Sequence, residues 1–164
     1  MNPTDRAYME RAVELALQSE RTGNLPVGAL LVLDGTLIAE GMSAVMSPLY
    51  DPGAHAEMRA LATADKALWP QAREMTCYTT LEPCVMCMGA LLLHGVGRVV
   101  FGANDVEGGA GRMLSHLPPY YAGRNVFEWV GPILPEVCDP LYRRTDEKFA
   151  TLPCGRAGLS ARHT

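Results

Sequence analysis

The 164-residue chain has room for one domain, and its composition, 48% apolar and 20% charged, is that of a folded globular protein rather than a disordered segment. The formal charge of −4 is uneven: residues 1–82 carry six Lys/Arg against eleven Asp/Glu and residues 83–164 carry eight against seven, so any nucleic-acid footprint has to be local and thin. No window approaches the ~18 uncharged apolar residues of a membrane span, the charged start MNPTDRAYMERAVE is unlike a signal peptide, and five cysteines, an odd count, suit thiols or metal ligands better than bridges, so a cytoplasmic protein is expected.

Over Asp5–Glu20 the residues Met9, Ala12, Val13, Ala16 and Leu17 recur at three- and four-residue spacing. They predict an amphipathic helix, capped by Thr4 or Asp5 and stopped by Gly23. Two strands follow, Gly28–Leu33 and Thr36–Gly41, joined by Asp34-Gly35, a pair suited to both positive-φ positions of a tight hairpin. Met42–Gly53, with Pro48 and Pro52, reads as a loop. Helical spacing returns over Ala54–Leu68 (Leu61, Ala64, Leu68). Thr76–Thr80 reads as a strand. Cys84–Leu93, apolar on every side, reads as a buried helix with Pro83 at its first turn and with Met86 and Met88 in the core. Gly97–Phe101 and Val126–Gly131 are further strands, and the segment between them is long enough for the crossover of parallel pairing. Asp139-Pro140 reads as a cap and first-turn proline opening a helix that ends near Ala150. Residues 1–152 then form one domain, and Pro153–Thr164 a loose tail. Helices alternating with short strands imply an α/β sandwich with helices on both faces of one sheet.

Two short stretches carry chemistry: His55-Ala56-Glu57 and Pro83-Cys84-Val85-Met86-Cys87, each at the start of a predicted helix. Cys84 and Cys87, three apart, share a helix face, and unpaired N–H groups in a first turn favour thiolates over thiols. His55 can supply a neutral third ligand, which leaves one tetrahedral corner of a zinc ion for water. Two thiolates and an imidazole make such a site formally neutral and still lower the pKa of the water. Glu57, two residues past His55, is placed to take a proton from that water and pass it to a leaving amine. A redox pair is one alternative for Cys-x-x-Cys. A structural zinc site is another, and it needs a fourth ligand from among His94, His116, Cys77, Cys138 and Cys154, none of them in paired spacing. Neither alternative uses Glu57. The pattern H-x-E…P-C-x-x-C is the signature of zinc-dependent deaminases.

Thr80–Ala90, TLEPCVMCMGA, resembles the core of the cytidine deaminase superfamily, and most of all the branch that holds tRNA adenosine deaminases and bacterial guanine deaminases. Asn24–Ala29 (NLPVGA), Asp51–Glu57 (DPGAHAE) and Gly97–Ala103 (GRVVFGA) resemble further segments of that branch in the same order, over about residues 5–150. The resemblance implies a three-layer α/β/α sandwich with a five-stranded mixed sheet. It implies one zinc ion per subunit on His55, Cys84 and Cys87, a catalytic water, and Glu57 as proton shuttle. It places Pro26 and Val27 along the base pocket, the N–H groups of Ala56 and Cys84 against the base or the water, and Glu82 and Pro83 beside the substrate. It also implies a homodimer or higher oligomer, with neighbouring subunits completing the rim.

Two departures shape the expected substrate. The branch carries Asn after the Gly-Trp that ends its second strand; here the residues are Gly41-Met42-Ser43, and the Ser43 hydroxyl cannot make the paired contacts of an amide. Arg143-Arg144 is the remnant of a basic patch, with Asp146 and Glu147 close behind. The expectation is therefore hydrolytic deamination of a small nucleobase, nucleoside or related amino-heterocycle. Wobble adenosine deamination in tRNA is the first alternative, and a non-catalytic zinc-binding subunit of a deaminase complex is the second. In the loop 104–121, His116, Tyr120 or Tyr121 can stack on a base, or the tyrosines can pack at a subunit interface. Trp69 and Trp129 are assigned to core or interface packing.

Overall fold

GALLVL at Gly28–Leu33 (β1) is buried at every position, which an interior strand requires. In the computed structural model, which describes residues 2–123 and 128–152, β1 is flanked by Thr36–Met42 (β2) and Met75–Leu81 (β3), both antiparallel to it. Arg98–Ala103 (β4) pairs parallel with β3, and Glu128–Val130 (β5) pairs parallel with β4. The order is β2-β1-β3-β4-β5, a five-stranded mixed sheet. Asp34 and Gly35 have φ of 50° and 72°, the hairpin turn expected of that dipeptide. Val126 and Phe127, predicted as the start of β5, and the predicted tail Pro153–Thr164 lie outside the described residues.

Period-two alternation along the strands assigns the two faces. Leu30, Val32, Tyr78 and Val100 point to one side, where they pack with Met9, Ala12 and Leu15 of α1 (Pro3–Arg21). Leu31, Leu33, Met75, Cys77 and Val99 point to the other, toward Ala60 and Leu61 of α2 (Ala56–Thr63) and Leu91 of α3 (Val85–His94). The crossover from β4 to β5 carries a 3₁₀ turn (Gly111–His116) and the short α4 (Pro119–Ala122). The last helix, α5 (Pro135–Ala150), packs on the α1 side through Leu134 and Cys138, which completes an α/β/α sandwich. Asp5 of α1 is clamped to the sheet by both terminal nitrogens of Arg98 on β4, at 2.6 and 2.8 Å, and by the Tyr78 hydroxyl on β3 at 2.8 Å.

Three helix ends and the burial of α3 differ from the sequence reading. Asn2, not Thr4 or Asp5, caps α1: its side chain accepts from the Thr4 N–H, and Pro3 fills the first turn where no N–H is needed. α2 ends at Thr63, where Ala64 turns extended, and Lys66–Glu74 winds as a separate 3₁₀ helix capped by Asp65, whose side chain accepts from the Ala67 N–H. α5 starts at Pro135, so Pro140 sits inside the helix and Asp139 is not its cap. α3 is buried on one face only, through Cys87, Met88, Leu91 and Leu92, while Val85, Met86 and Leu93 are exposed. The apolar run thus does not mark a fully buried helix, and Met86 is not a core residue.

Candidate active site

The starts of α2 and α3 meet at one end of the sheet. α2 reaches it because Gly41 of β2 lies directly beneath it: a Cβ at Gly41 would collide with the Ala56 carbonyl and lie 2.6 Å from the Ala60 nitrogen. His55 is the N-cap residue of α2 and Cys84 that of α3, and Cys87 lies one turn into α3. His55 Nδ1 is 3.6 Å from Cys84 Sγ and 3.5 Å from Cys87 Sγ, and the sulfurs are 3.7 Å apart. A tetrahedral zinc ion with Zn–S near 2.3 Å and Zn–N near 2.05 Å needs S···S of about 3.8 Å and N···S of about 3.6 Å. The three atoms therefore already form a face of that tetrahedron. His55, Cys84 and Cys87 are positioned to bind a metal ion.

Charge follows the same geometry. The Cys84 thiol is pulled down to about 4, first by its hydrogen bond with Cys87 and next by the one with His55, against burial. That bond and burial push the Cys87 thiol up. The His55 imidazole is raised mainly by its hydrogen bond to Cys84. Glu57, in the first turn of α2 and 4% exposed, is raised by burial. One of its oxygens accepts from the Thr79 hydroxyl at 2.9 Å, and the other lies 3.4 Å from Cys87 Sγ.

His55, Glu57 and Cys84 line one side of a cavity of about 360 Å³. Leu25, Val27, Leu81 and Phe149 form an apolar wall, and the rim carries Glu82, Asp105, Glu107 and Asp146. His55 is the sole basic side chain among the described residues that line it. The rim loop is tied down by Glu82, whose two carboxylate oxygens accept from the Asp105 and Gly111 N–H groups at 3.1 Å each. Asp105 in turn accepts from the Glu107 and Gly108 N–H groups and from the Tyr142 hydroxyl. Asn24 holds the other loop: its side-chain Oδ1 accepts from the Met46 and Ser47 N–H groups at 2.9 and 3.0 Å.

Of the residues singled out in the sequence, Val27, Ser43, Ala56, Glu57, His55, Glu82 and Cys84 line this cavity, and Cys87 lies behind it. Pro26 and Pro83 adjoin lining residues in the chain but do not line it, and His116 and Tyr120 are exposed on the crossover and do not line it. Tyr121 packs beside Met88, Leu92 and Ala110. Ser43 donates its N–H to the Val27 carbonyl, and its own carbonyl accepts from Ser19. Its hydroxyl is buried and has no hydrogen-bond partner among the described residues. Arg144 is bound to Glu20 through two contacts of 2.7 and 3.1 Å. The sequence reading missed the share of α5, whose Tyr142, Thr145, Asp146 and Phe149 close the cavity. Their three- and four-residue spacing is the signal that puts them on one face.

The model of the cytidine and deoxycytidylate deaminase zinc-binding region matches residues 2–103. The chain belongs to this zinc-binding deaminase family. It is 39% identical over 135 residues to the tRNA-specific adenosine deaminase of Bacillus subtilis, a match spanning 82% of this chain and 83% of that one. A structure from a study of A-to-I editing by tRNA A34 deaminases superposes with a TM-score of 0.71 at 30% identity, over 83% of this chain and 99% of that one. The guanine deaminase of Bacillus subtilis gives a TM-score of 0.54 at 38% identity, over 63% and 66%. Among the described residues no helix is long and apolar enough to cross a membrane.

Proposed function

We propose that this deaminase hydrolyses the exocyclic amine of a purine, and that adenosine in the anticodon loop of tRNA is the substrate with the broadest support. The observation that carries the reaction is the buried carboxylate of Glu57 on the same cavity wall as His55 and Cys84, with Cys87 completing the ligand set behind that wall. The substrate reading rests on the relative that matches over four fifths of both chains. A zinc ion on the three ligands would supply an activated water as nucleophile. Glu57 takes a proton from the attacking water, delivers it to the ring nitrogen beside the reacting carbon, and then serves the departing ammonia. Leu25, Val27, Leu81 and Phe149 keep bulk water away from the base, and the product carries a carbonyl where the amine was. The same reading includes a cytoplasmic homodimer; the exposed Val85, Met86 and Leu93 of α3 support association, which light scattering would test.

A second reading, deamination of a free aminopurine or nucleoside, is favoured by the rim. Five carboxylate residues, Glu57 and the four of the rim, and no Lys or Arg line the cavity among the described residues, and Arg144 is occupied by Glu20. A phosphate backbone meets repulsion at such a mouth, whereas an uncharged base does not. Both readings are tested together, by ammonia and inosine formation from an anticodon stem-loop with adenosine at the wobble position and by ammonia release from guanine, adenine and their nucleosides. Turnover of the stem-loop that weakens with added salt supports the first reading. Turnover of free purines alone, insensitive to salt, replaces it with the second. Silence with all of them overturns both and leaves a non-catalytic zinc-binding subunit.

A further inference from the structure

β3 carries two adjacent threonines whose side chains do different work. Alternation sends Thr80 toward the α1 face, where its hydroxyl accepts from the Gly28 N–H at 3.2 Å and ties two strands together. Thr79 points to the α2 face, is fully buried, and donates to Glu57 Oε1 at 2.9 Å. Among the described residues this is its single side-chain hydrogen bond. The Thr79 backbone is held on both sides, opposite Ala29 of β1 and opposite Phe101 of β4. The hydroxyl is thus mounted on the middle strand of the sheet, paired on both sides.

We propose that Thr79 is a positioning residue for the reaction: its hydroxyl engages Glu57 Oε1, fixes the plane of the carboxylate, and leaves Oε2 as the oxygen that exchanges the proton. The inference rests on the deaminase reading above and concerns the same site. A hydroxyl has one proton to donate, so Oε1 is the oxygen committed to the protein. Oε2 is on the ligand side, 3.4 Å from Cys87 Sγ, and is the oxygen that Thr79 leaves for the proton. Without Thr79 the buried Oε1 loses the Thr79 hydroxyl, and rotation about the last side-chain bond is resisted less, since such terminal torsions are broad and two-fold. A general base out of line loses rate, while substrate binding, which uses other walls of the cavity, does not.

The test compares Thr79→Val, which keeps the shape and removes the hydroxyl, with Thr79→Ser, which keeps the hydroxyl. Zinc per chain and melting temperature establish that each variant folds and loads. Kinetics use the anticodon stem-loop or the free purine that the wild type turns over. Thr79→Val is expected to lower kcat about 10- to 100-fold with KM within about twofold, the scale of one hydrogen bond to a charged group. Thr79→Ser is expected to recover most of the rate. Crystal structures are the second readout: the Glu57 carboxylate plane turns in Thr79→Val and keeps its orientation in Thr79→Ser. An unchanged kcat in Thr79→Val, a loss confined to KM, or equal losses in both variants would overturn the proposal. If the wild type turns over none of these substrates, the functional reading fails on its own. The carboxylate orientation in the two crystal structures then decides the positioning role alone.

Discussion

Gly41→Ala is a one-methyl change outside the cavity that should disable it. A Cβ at this position would lie 2.6 Å from the Ala60 nitrogen and nearer still to the Ala56 carbonyl. Relief to ordinary van der Waals contact requires α2 to lift from β2 by about 1 Å. Both obstacles are backbone atoms of the helix itself, so no side chain can swing aside. The lift carries His55, Ala56 and Glu57 with it, because all three belong to the first turn of α2 or its cap. Overpacking of this kind costs about 1–3 kcal/mol of stability. For a chain of this size that is a fall of roughly 3–10 °C in melting temperature. A displacement of about 1 Å at a catalytic group costs roughly 100-fold in rate. The Nδ1–Sγ separations of 3.5 and 3.6 Å, now matched to a tetrahedral edge, would open as well, and zinc affinity should fall. Differential scanning calorimetry, zinc titration against a competing chelator and steady-state kinetics read the three effects. A Gly41→Ala protein with wild-type zinc affinity and kcat would refute the claim that Gly41 sets the height of α2 over the sheet.

Three further outcomes follow from the same coordinates. Glu57→Gln removes the proton carrier and leaves His55, Cys84 and Cys87 intact, so kcat should drop by about 10²- to 10⁴-fold while metal analysis still finds zinc; retained turnover would remove Glu57 from the reaction. Chelation of the metal should lower the melting temperature by roughly 10 °C, since a ligand present at about 1,000 times its Kd contributes about 4 kcal/mol to the folded state, and zinc added back should restore it; an unshifted transition would contradict a zinc-linked fold. The Asp5 carboxylate is held below its ordinary range, first by its hydrogen bonds with Arg98. A carboxylate depressed in the folded state contributes stability above its unfolded pKa, near 3.9, and loses it as pH falls through the lower folded value. Acid unfolding below about pH 4 should therefore flatten in Asp5→Asn, although that variant starts less stable at neutral pH; an unchanged acid limb would assign the acid sensitivity to other groups.

The legible part of this molecule was the part fixed by short-range periodicity and by spacing within one or two turns. Asp34-Gly35 required a hairpin, Gly28–Leu33 a strand, and H-x-E with P-C-x-x-C the starts of two helices; the structure has all three. The illegible part depended on what a segment meets after folding. The exposed side of α3 shares its apolar character with the buried side, so composition alone made the helix look surrounded. Pro140 offered a plausible helix start, yet Pro135 supplies one five residues earlier. The α5 wall of the cavity was hidden for a similar reason: Tyr142, Thr145, Asp146 and Phe149 carry no motif, and they become cavity lining because α5 returns across β4.

Glu82 and Thr79 show how far the same principle reaches into the site itself. Glu82 stands in a motif, two residues before Cys84, and its carboxylate holds the Asp105 and Gly111 N–H groups of the rim loop. Thr79 stands five residues before Cys84 and looks like any strand residue, yet it touches the carboxylate on which the proposed proton transfer depends. Prominence in sequence tracks how narrowly chemistry restricts the residue type: a metal accepts few ligands, whereas a buried carboxylate accepts any donor that packing can deliver. The ligands of a site of this kind are therefore readable from one chain, while the groups that aim its acid emerge only when the parity of the central strand is known.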